Sequence, residues 1–146
     1  MATEYDGPLD AGRKLALAIG VAYVLVGVLG FFVTGFDNFA KPTDEKLLGI
    51  FQLNPLHNIV HLLVGFGGLA LYKRRDTAKL YGIALAAAYG LTFAYGLVVA
   101  GKDTAANFIS LNGADNGLHL VSAIAGVVIV SLVGKAAAAV PSRSAA

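Results

Sequence analysis

The chain predicts an all-α fold, a four-helix transmembrane bundle built from two parallel helix-pair repeats, and three observations lead there. First, 57% of its 146 residues are hydrophobic and only 14% are charged, where soluble domains carry about 25% charged residues. So few charges cannot cover a surface facing water, which makes lipid the expected solvent. Second, four long stretches are free of Asp, Glu, Lys and Arg, and charged turns separate them. Third, a polar pattern recurs inside two of those stretches at a fixed offset.

The first stretch, Leu15 to Phe36, lies between Lys14 and Asp37. Its 22 residues exceed the ~7–15 of a signal-peptide core, and no small-residue cleavage pattern follows, so it reads as a retained helix. The second runs from Leu47 to Tyr72, the third from Leu80 to Gly101, and the fourth from Asn116 to Gly134. Crossing the hydrocarbon takes about 20 apolar residues. Inside lipid the backbone must satisfy its own hydrogen bonds, so each stretch is helical. The expected helices are about 15–36, 55–72, 80–101 and 115–134, in a single transmembrane domain spanning 1–146.

Orientation follows from the basic residues. Arg13, Lys14, Lys73, Arg74, Arg75, Lys79, Lys135 and Arg143 fall on one side of a four-pass chain, and Lys41, Lys46 and Lys102 on the other. Eight against three puts both termini in the cytoplasm. Asn54 suits a helix N-cap and Pro55 the first helical position, where a missing N–H costs nothing. The apolar Leu47-Leu48-Gly49-Ile50-Phe51 before it is expected to lie at the interface as a short helix. Residues 141–146, small and polar, read as a tail.

Shifting the chain by 58 residues lays Leu53-Asn54-Pro55-Leu56-His57-Asn58-Ile59-Val60-His61-Leu62 on Leu111-Asn112-Gly113-Ala114-Asp115-Asn116-Gly117-Leu118-His119-Leu120, with five identities in ten. Three of the five are polar, which apolar composition does not produce by itself. The same shift puts Tyr23 on Tyr81, Thr34 on Thr92 and Gly68 on Gly126. Each unit would contain two crossings, so the halves, about 15–72 and 73–134, share one topology about an axis along the membrane normal. Helices 2 and 4 then both start at the outer face, capped by Asn54 and Asn112. His61 and His119 sit about 10 Å below those starts, at 1.5 Å per residue.

The stretch LNPLHNIVHLLVG, the later ADNGLHL and the four hydrophobic segments resemble a family of small bacterial membrane proteins described as a domain of unknown function. The resemblance runs from about Leu15 to Gly134. It implies a four-helix protein of the bacterial plasma membrane, and it brings no activity or catalytic residues with it.

The chemistry must therefore come from the residues. His57 and His61 are i and i+4, on one helical face, and so are Asp115 and His119. Two helices offering two ligands each can converge on one metal ion, as helical bundles do. With no cysteine in the chain, the His57, His61, Asp115 and His119 set suits zinc, iron or copper(II) rather than copper(I). Asn58 and Asn116 can orient those ligands from behind. Convergence of the four requires helices 2 and 4 to pack directly. Haem is the alternative, with His61 and His119 as axial ligands of a b-type electron carrier. A third reading is a non-catalytic scaffold or partner subunit in which the same residues lock helices 2 and 4 together. Asp115 also fits a second role, as the acid of a capping box with Asn112. No Ser-His-Asp order or phosphate loop is visible, which leaves enzymatic activity open. The net charge of +2 does not point to nucleic acid. The partners expected are the lipid bilayer and a membrane protein, either another chain or a second copy.

Overall fold

A computed structural model describes residues 7–138. Four helices, α1 (Ala11–Thr34), α2 (Pro55–Leu71), α3 (Arg75–Val99) and α4 (Gly113–Ala138), form a bundle. Two short strands, β1 (Lys46–Leu47) and β2 (Phe51–Gln52), lie between α1 and α2. The predicted all-α four-helix bundle is the observed fold. The tail expected at 141–146 and Arg143 lie outside the described residues.

The helices overrun the charge-free stretches because their caps are polar. Asp10 accepts the backbone N–H of Arg13 at 3.0 Å and starts α1 four residues before Leu15. Its carboxylate also takes Nε–H bonds from Arg13 at 2.9 Å and Arg75 at 3.3 Å. Arg13, only 1% exposed, donates on to the carbonyl of Lys73 at 3.0 Å. A basic residue that sets orientation in the sequence thus also ties the start of α1 to the α2–α3 turn. Burial opposes ionisation of Asp10, but the Arg13 N–H, the Arg13 charge and Arg75 outweigh it and hold the carboxyl below its ordinary value. Thr77 Oγ1 donates to the carbonyl of Leu71 at 2.7 Å, closing that turn tightly.

Three helices, α1, α3 and Gly113–Lys135 of α4, are long and apolar enough to cross a membrane, and α2 is a shorter apolar helix of 17 residues. Large apolar side chains face outward, including Phe32 at 84% exposure and Leu91 at 74%. In water that surface would drive aggregation, and in lipid it is matched to its solvent.

Two antiparallel seams are tight because small residues let backbones approach. In the first, a Cβ on Gly65 would lie 2.5 Å from the backbone nitrogen of Val24, and one on Gly68 would lie 2.8 Å from the Gly20 Cα. In the second, a Cβ on Gly126 would lie 2.5 Å from the Ala86 nitrogen. So α1 packs on α2 and α3 packs on α4. The pairs meet through α1–α4 and α2–α3, with a shorter diagonal between α1 and α3. The direct packing of helices 2 and 4 required above does not occur: α2 and α4 occupy the long diagonal and their backbones do not touch. The seams claim the small faces of all four helices, and bulky rings fill the space between α2 and α4.

A second expectation is also corrected. Residues 47–51 form a hairpin, not an interfacial helix. Leu48 and Gly49 adopt positive φ, 54° and 71°, which reverses the chain and is incompatible with a helix. The antiparallel register is Lys46 with Gln52 and Leu47 with Phe51.

Candidate functional site

The polar residues of the repeated motif are held by caps at the starts of α2 and α4. Asn54 Oδ1 accepts the His57 N–H at 2.9 Å. Its amide donates to the carbonyls of Lys41 at 2.9 Å and Phe108 at 2.7 Å. One side chain therefore starts α2 and joins the two outer connections, 35–54 and 100–112. Asn112 Oδ1 accepts the Asp115 N–H at 3.0 Å, and Asp115 Oδ2 accepts the Asn112 N–H at 2.9 Å. These reciprocal bonds are a capping box. Asp115 Oδ2 also takes the backbone N–H of Gln52 at 3.0 Å, and Asn112 Nδ2 donates to the Ile50 carbonyl at 2.8 Å. The hairpin is thereby fastened over the α4 start. Ser110 Oγ and Thr43 N, 2.9 Å apart, add a further link between the connections.

Beneath this lid, His57, His61 and His119 come together. Each offers one ring nitrogen, and the three nitrogens lie within 4.8 Å of one another. The side chains are 2%, 3% and 2% exposed. Asp115 lies outside this group. Its bonded oxygen faces the hairpin and its own helix start. Asn58 and Asn116 turn away from the histidines. Asn58 Nδ2 donates to Thr34 Oγ1 at 2.8 Å, and its Oδ1 presses on Gly30, where a Cβ would stand 2.1 Å away. Asn116 Oδ1 presses on Gly96 in the same manner, with 2.0 Å for a Cβ.

Two tyrosines complete the cluster. Ring centroids run from His57 to His61 at 4.4 Å, from His61 to Tyr23 at 5.2 Å and from Tyr23 to Tyr89 at 5.3 Å. They continue from Tyr89 to His119 at 5.3 Å and from His119 back to His57 at 5.8 Å. The five rings form a closed circuit at the spacing of favourable tilted aromatic contacts, and every helix contributes. Tyr23 Oη and Ser122 Oγ share a 2.6 Å hydrogen bond, and Ser122 Oγ also donates to the Leu118 carbonyl at 2.9 Å.

From sequence, Tyr23, Tyr81, Tyr89 and Tyr95 read as core or belt aromatics in preference to a pocket lining, and Ser122 is not singled out. A signal for the tyrosines was present. The buried face of α1 reads Ala16, Gly20, Tyr23, Gly27 and Gly30, and that of α3 includes Ala78, Gly82, Leu85, Tyr89 and Gly96. Both faces follow helical spacing, with Tyr23 amid small side chains on α1 and Tyr89 following a second buried tyrosine, Tyr81, on α3. Tyr95 is off that face and donates to the carbonyl of Ala106 in the outer connection. For Ser122, which caps nothing and repeats nothing, no sequence signal marks it.

The site's chemistry rests on what is left unpaired. The Nδ1 atoms of His57, His61 and His119 and the hydroxyl of Tyr89 have no hydrogen-bond partner among the described residues. A buried polar atom without a partner costs about 1–3 kcal/mol, and such atoms are rare. Three of them belong to imidazoles that each bring one ring nitrogen, Nδ1 or Nε2, into the cluster. A chamber of about 220 Å³ adjoins His57 and His119, and no Lys, Arg, Asp or Glu lines it.

Fold and site define a class: an α-helical membrane protein whose bundle encloses a histidine–tyrosine cluster under a lid tied from the 35–54 and 100–112 connections. The chain belongs to the family described as Domain of unknown function (DUF4383), whose model matches residues 13–132. No curated protein and no solved structure matches it.

Proposed function

We propose that this protein binds a transition-metal ion near the outer face of the bacterial plasma membrane through His57, His61 and His119. The observation that carries the reading is the convergence of three buried, unpartnered imidazoles within 4.8 Å. Metal–nitrogen bonds of about 2.0–2.1 Å bring tetrahedral ligand atoms about 3–4 Å apart. Small rotamer changes of three side chains around an existing centre would close the gap. Three neutral imidazoles suit zinc, iron or copper(II). They leave a divalent charge uncompensated in a low-dielectric site, which favours hydroxide or another small anion in an open fourth position. Asp115, considered as a fourth ligand, acts in this reading as the cap and lid anchor that holds His119 in place.

The haem alternative is less well supported. Tyr23 packs on the His61 ring and Tyr89 on the His119 ring, where a macrocycle held by the two histidines would need room. The adjoining 220 Å³ chamber falls below the ~300–1,000 Å³ of ordinary small-molecule sites. The scaffold alternative, with a membrane-protein partner or second copy, would make the cluster a polar bridge across the α2–α4 diagonal.

The reading includes four crossings with both termini in the cytoplasm. At 1.5 Å per residue α2 is about 25 Å long, near the lower limit for a span. Its antiparallel run along α1, from Gly30 beside Asn58 to Gly20 beside Gly68, supports a full crossing. It also includes the internal repeat. Matching Asn–Gly contacts, Asn58 on Gly30 and Asn116 on Gly96, support it. They imply an offset of 58 residues between α2 and α4 but 66 between α1 and α3. On that reckoning Tyr23 corresponds to Tyr89, its neighbour in the site, instead of to Tyr81. The hairpin-bearing connection absorbs the difference.

The test is elemental analysis of the protein purified at neutral pH and reconstituted with each metal in turn. One metal per chain is expected, abolished in His61→Ala and His119→Ala. Wild-type protein that takes up no metal overturns the proposal. If the same variants then lower thermal stability with no change in ligand content, the scaffold reading takes its place.

A further inference from the structure

A groove runs down the lipid side of the bundle between α2 and α3, the seam that small residues do not close. It has two chambers. The lower, of about 500 Å³, is walled by Leu63, Val64, Leu71, Leu80, Leu85 and neighbours and opens to the bilayer. The upper, of about 220 Å³, ends on His57 and His119. Val64, Ala88 and Tyr89 line both, so the two lie side by side.

We propose that this groove binds a prenylated single-ring quinone or its quinol, with the ring in the upper chamber and the tail in the lower. The proposal goes beyond metal binding by naming the class of molecule that reaches the site. It shares His57 and His119 with that reading but needs no metal.

Chemistry narrows the ligand from both ends. The lower chamber is apolar except for Tyr81 and Tyr89, and Leu63 and Leu80 at its mouth are exposed to lipid. That end takes a hydrocarbon chain. The upper chamber is lined by His57, Tyr89, Thr92 and His119, whose side chains can hydrogen-bond. A hydroxyl donates or accepts, and a neutral imidazole does either according to tautomer, so both quinone carbonyls and quinol hydroxyls can be met. No Lys or Arg lines either chamber, which disfavours the phosphate of a lipid headgroup or the carboxylate of a fatty acid. Size agrees. A cavity of about 150 Å³ accommodates benzene, so 220 Å³ suits one substituted six-membered ring. Tyr89, His57, His119 and Phe108 provide aromatic walls for it.

The test uses the full chain in nanodiscs, titrated with a decyl-substituted benzoquinone and read by quenching of tyrosine emission, since the chain has no tryptophan. Decylbenzene serves as the tail-only control. Ala88→Phe would block the junction of the chambers. Ala88 is exposed on the lipid face, so the larger side chain fills the groove without disturbing the bundle. Tyr89→Phe keeps the ring and removes the hydroxyl. The expected result is saturable quinone binding, at least tenfold weaker for decylbenzene and in Ala88→Phe, and severalfold weaker in Tyr89→Phe. Circular-dichroism melts and metal content should match wild type in Ala88→Phe. The proposal is overturned if decylbenzene or phosphatidylglycerol competes as well as the quinone, if Ala88→Phe binds as tightly as wild type, or if no saturable binding occurs. Failure of the metal reading would appear in elemental content alone, so the two are separable.

Discussion

Replacing Asp115 separates a ligand from a cap. Its Oδ2 accepts two backbone N–H bonds, from Asn112 at 2.9 Å and Gln52 at 3.0 Å, and the side chain is buried. Asp115→Ala removes both acceptors. Each N–H left without a partner costs about 1–3 kcal/mol, so the loss should be about 2–6 kcal/mol, reduced where water reaches the hairpin. Asp115→Asn retains one carbonyl oxygen in the same place. Both bonds survive but lose the charge assistance that roughly doubles their strength, for a loss of about 1–2 kcal/mol. The assay is SDS-induced unfolding followed by circular dichroism, paired with metal titration of each variant. The capping role predicts that Asp115→Asn is mildly destabilised with metal affinity within a few-fold of wild type, while His119→Ala loses metal altogether. If Asp115→Asn loses metal as completely as His119→Ala, the carboxylate is a ligand and the argument from its hydrogen bonds is wrong.

Other outcomes follow from the same contacts. Reporter fusions at Lys41 and Lys102 should read as extracytoplasmic and one at Arg74 as cytoplasmic; a cytoplasmic signal at Lys41 would reverse the orientation. Gly30→Ala and Gly96→Ala each drive a Cβ into an asparagine oxygen at 2.1 or 2.0 Å, and each should cost about 1–3 kcal/mol in the same unfolding assay. Unequal tolerance of the two would count against the repeat. Metal content should fall on strong acidification, because protonated imidazole cannot ligate, and content that rises instead would contradict histidine ligation. Asp10 titrates below the ordinary 3.8, so its contribution is present above that value and disappears as pH falls through the depressed one. Asp10→Asn should therefore be less stable than wild type at neutral pH, with the gap closing in acid; a gap that widens in acid would contradict the sign.

The parts of the fold that were legible in the sequence are those written in one-dimensional patterns. Charge-free runs marked the four helices because lipid leaves the backbone no other partner. Asn54, Pro55 and the Asn112–Asp115 spacing marked two helix starts, since capping is local chemistry. His57, His61 and His119 stood out because polar residues in apolar helices are scarce. The lateral order of the helices was not legible. It depends on which small faces pair, and glycines occur on all four helices. The repeat pointed to α2 and α4 as equivalents, and equivalence was taken for adjacency. Elements related by a two-fold axis sit opposite each other, and a four-helix ring seats opposite members on a diagonal. The hairpin was missed because five apolar residues in a row resemble a helix, and only the positive φ at Leu48 and Gly49 shows otherwise.

That diagonal explains how the cluster can exist at membrane depth. Had α2 and α4 formed a small-residue seam like those of α1–α2 and α3–α4, their backbones would leave no room for three imidazoles. Placing the tight seams on the other pairs opens the centre, and Tyr23 and Tyr89 fill it along the shorter diagonal. The rings provide enough contact to hold the histidines without giving their Nδ1 atoms partners. A stability-driven core would place leucine or phenylalanine at positions 57, 61 and 119 and avoid the unpaired polar atoms. Keeping three histidines there, beneath a lid fastened by Asn54, Asn112 and Asp115, costs stability that the proposed ligand would recover. That imbalance, more than the presence of histidines as such, argues that the centre of this bundle is a binding site.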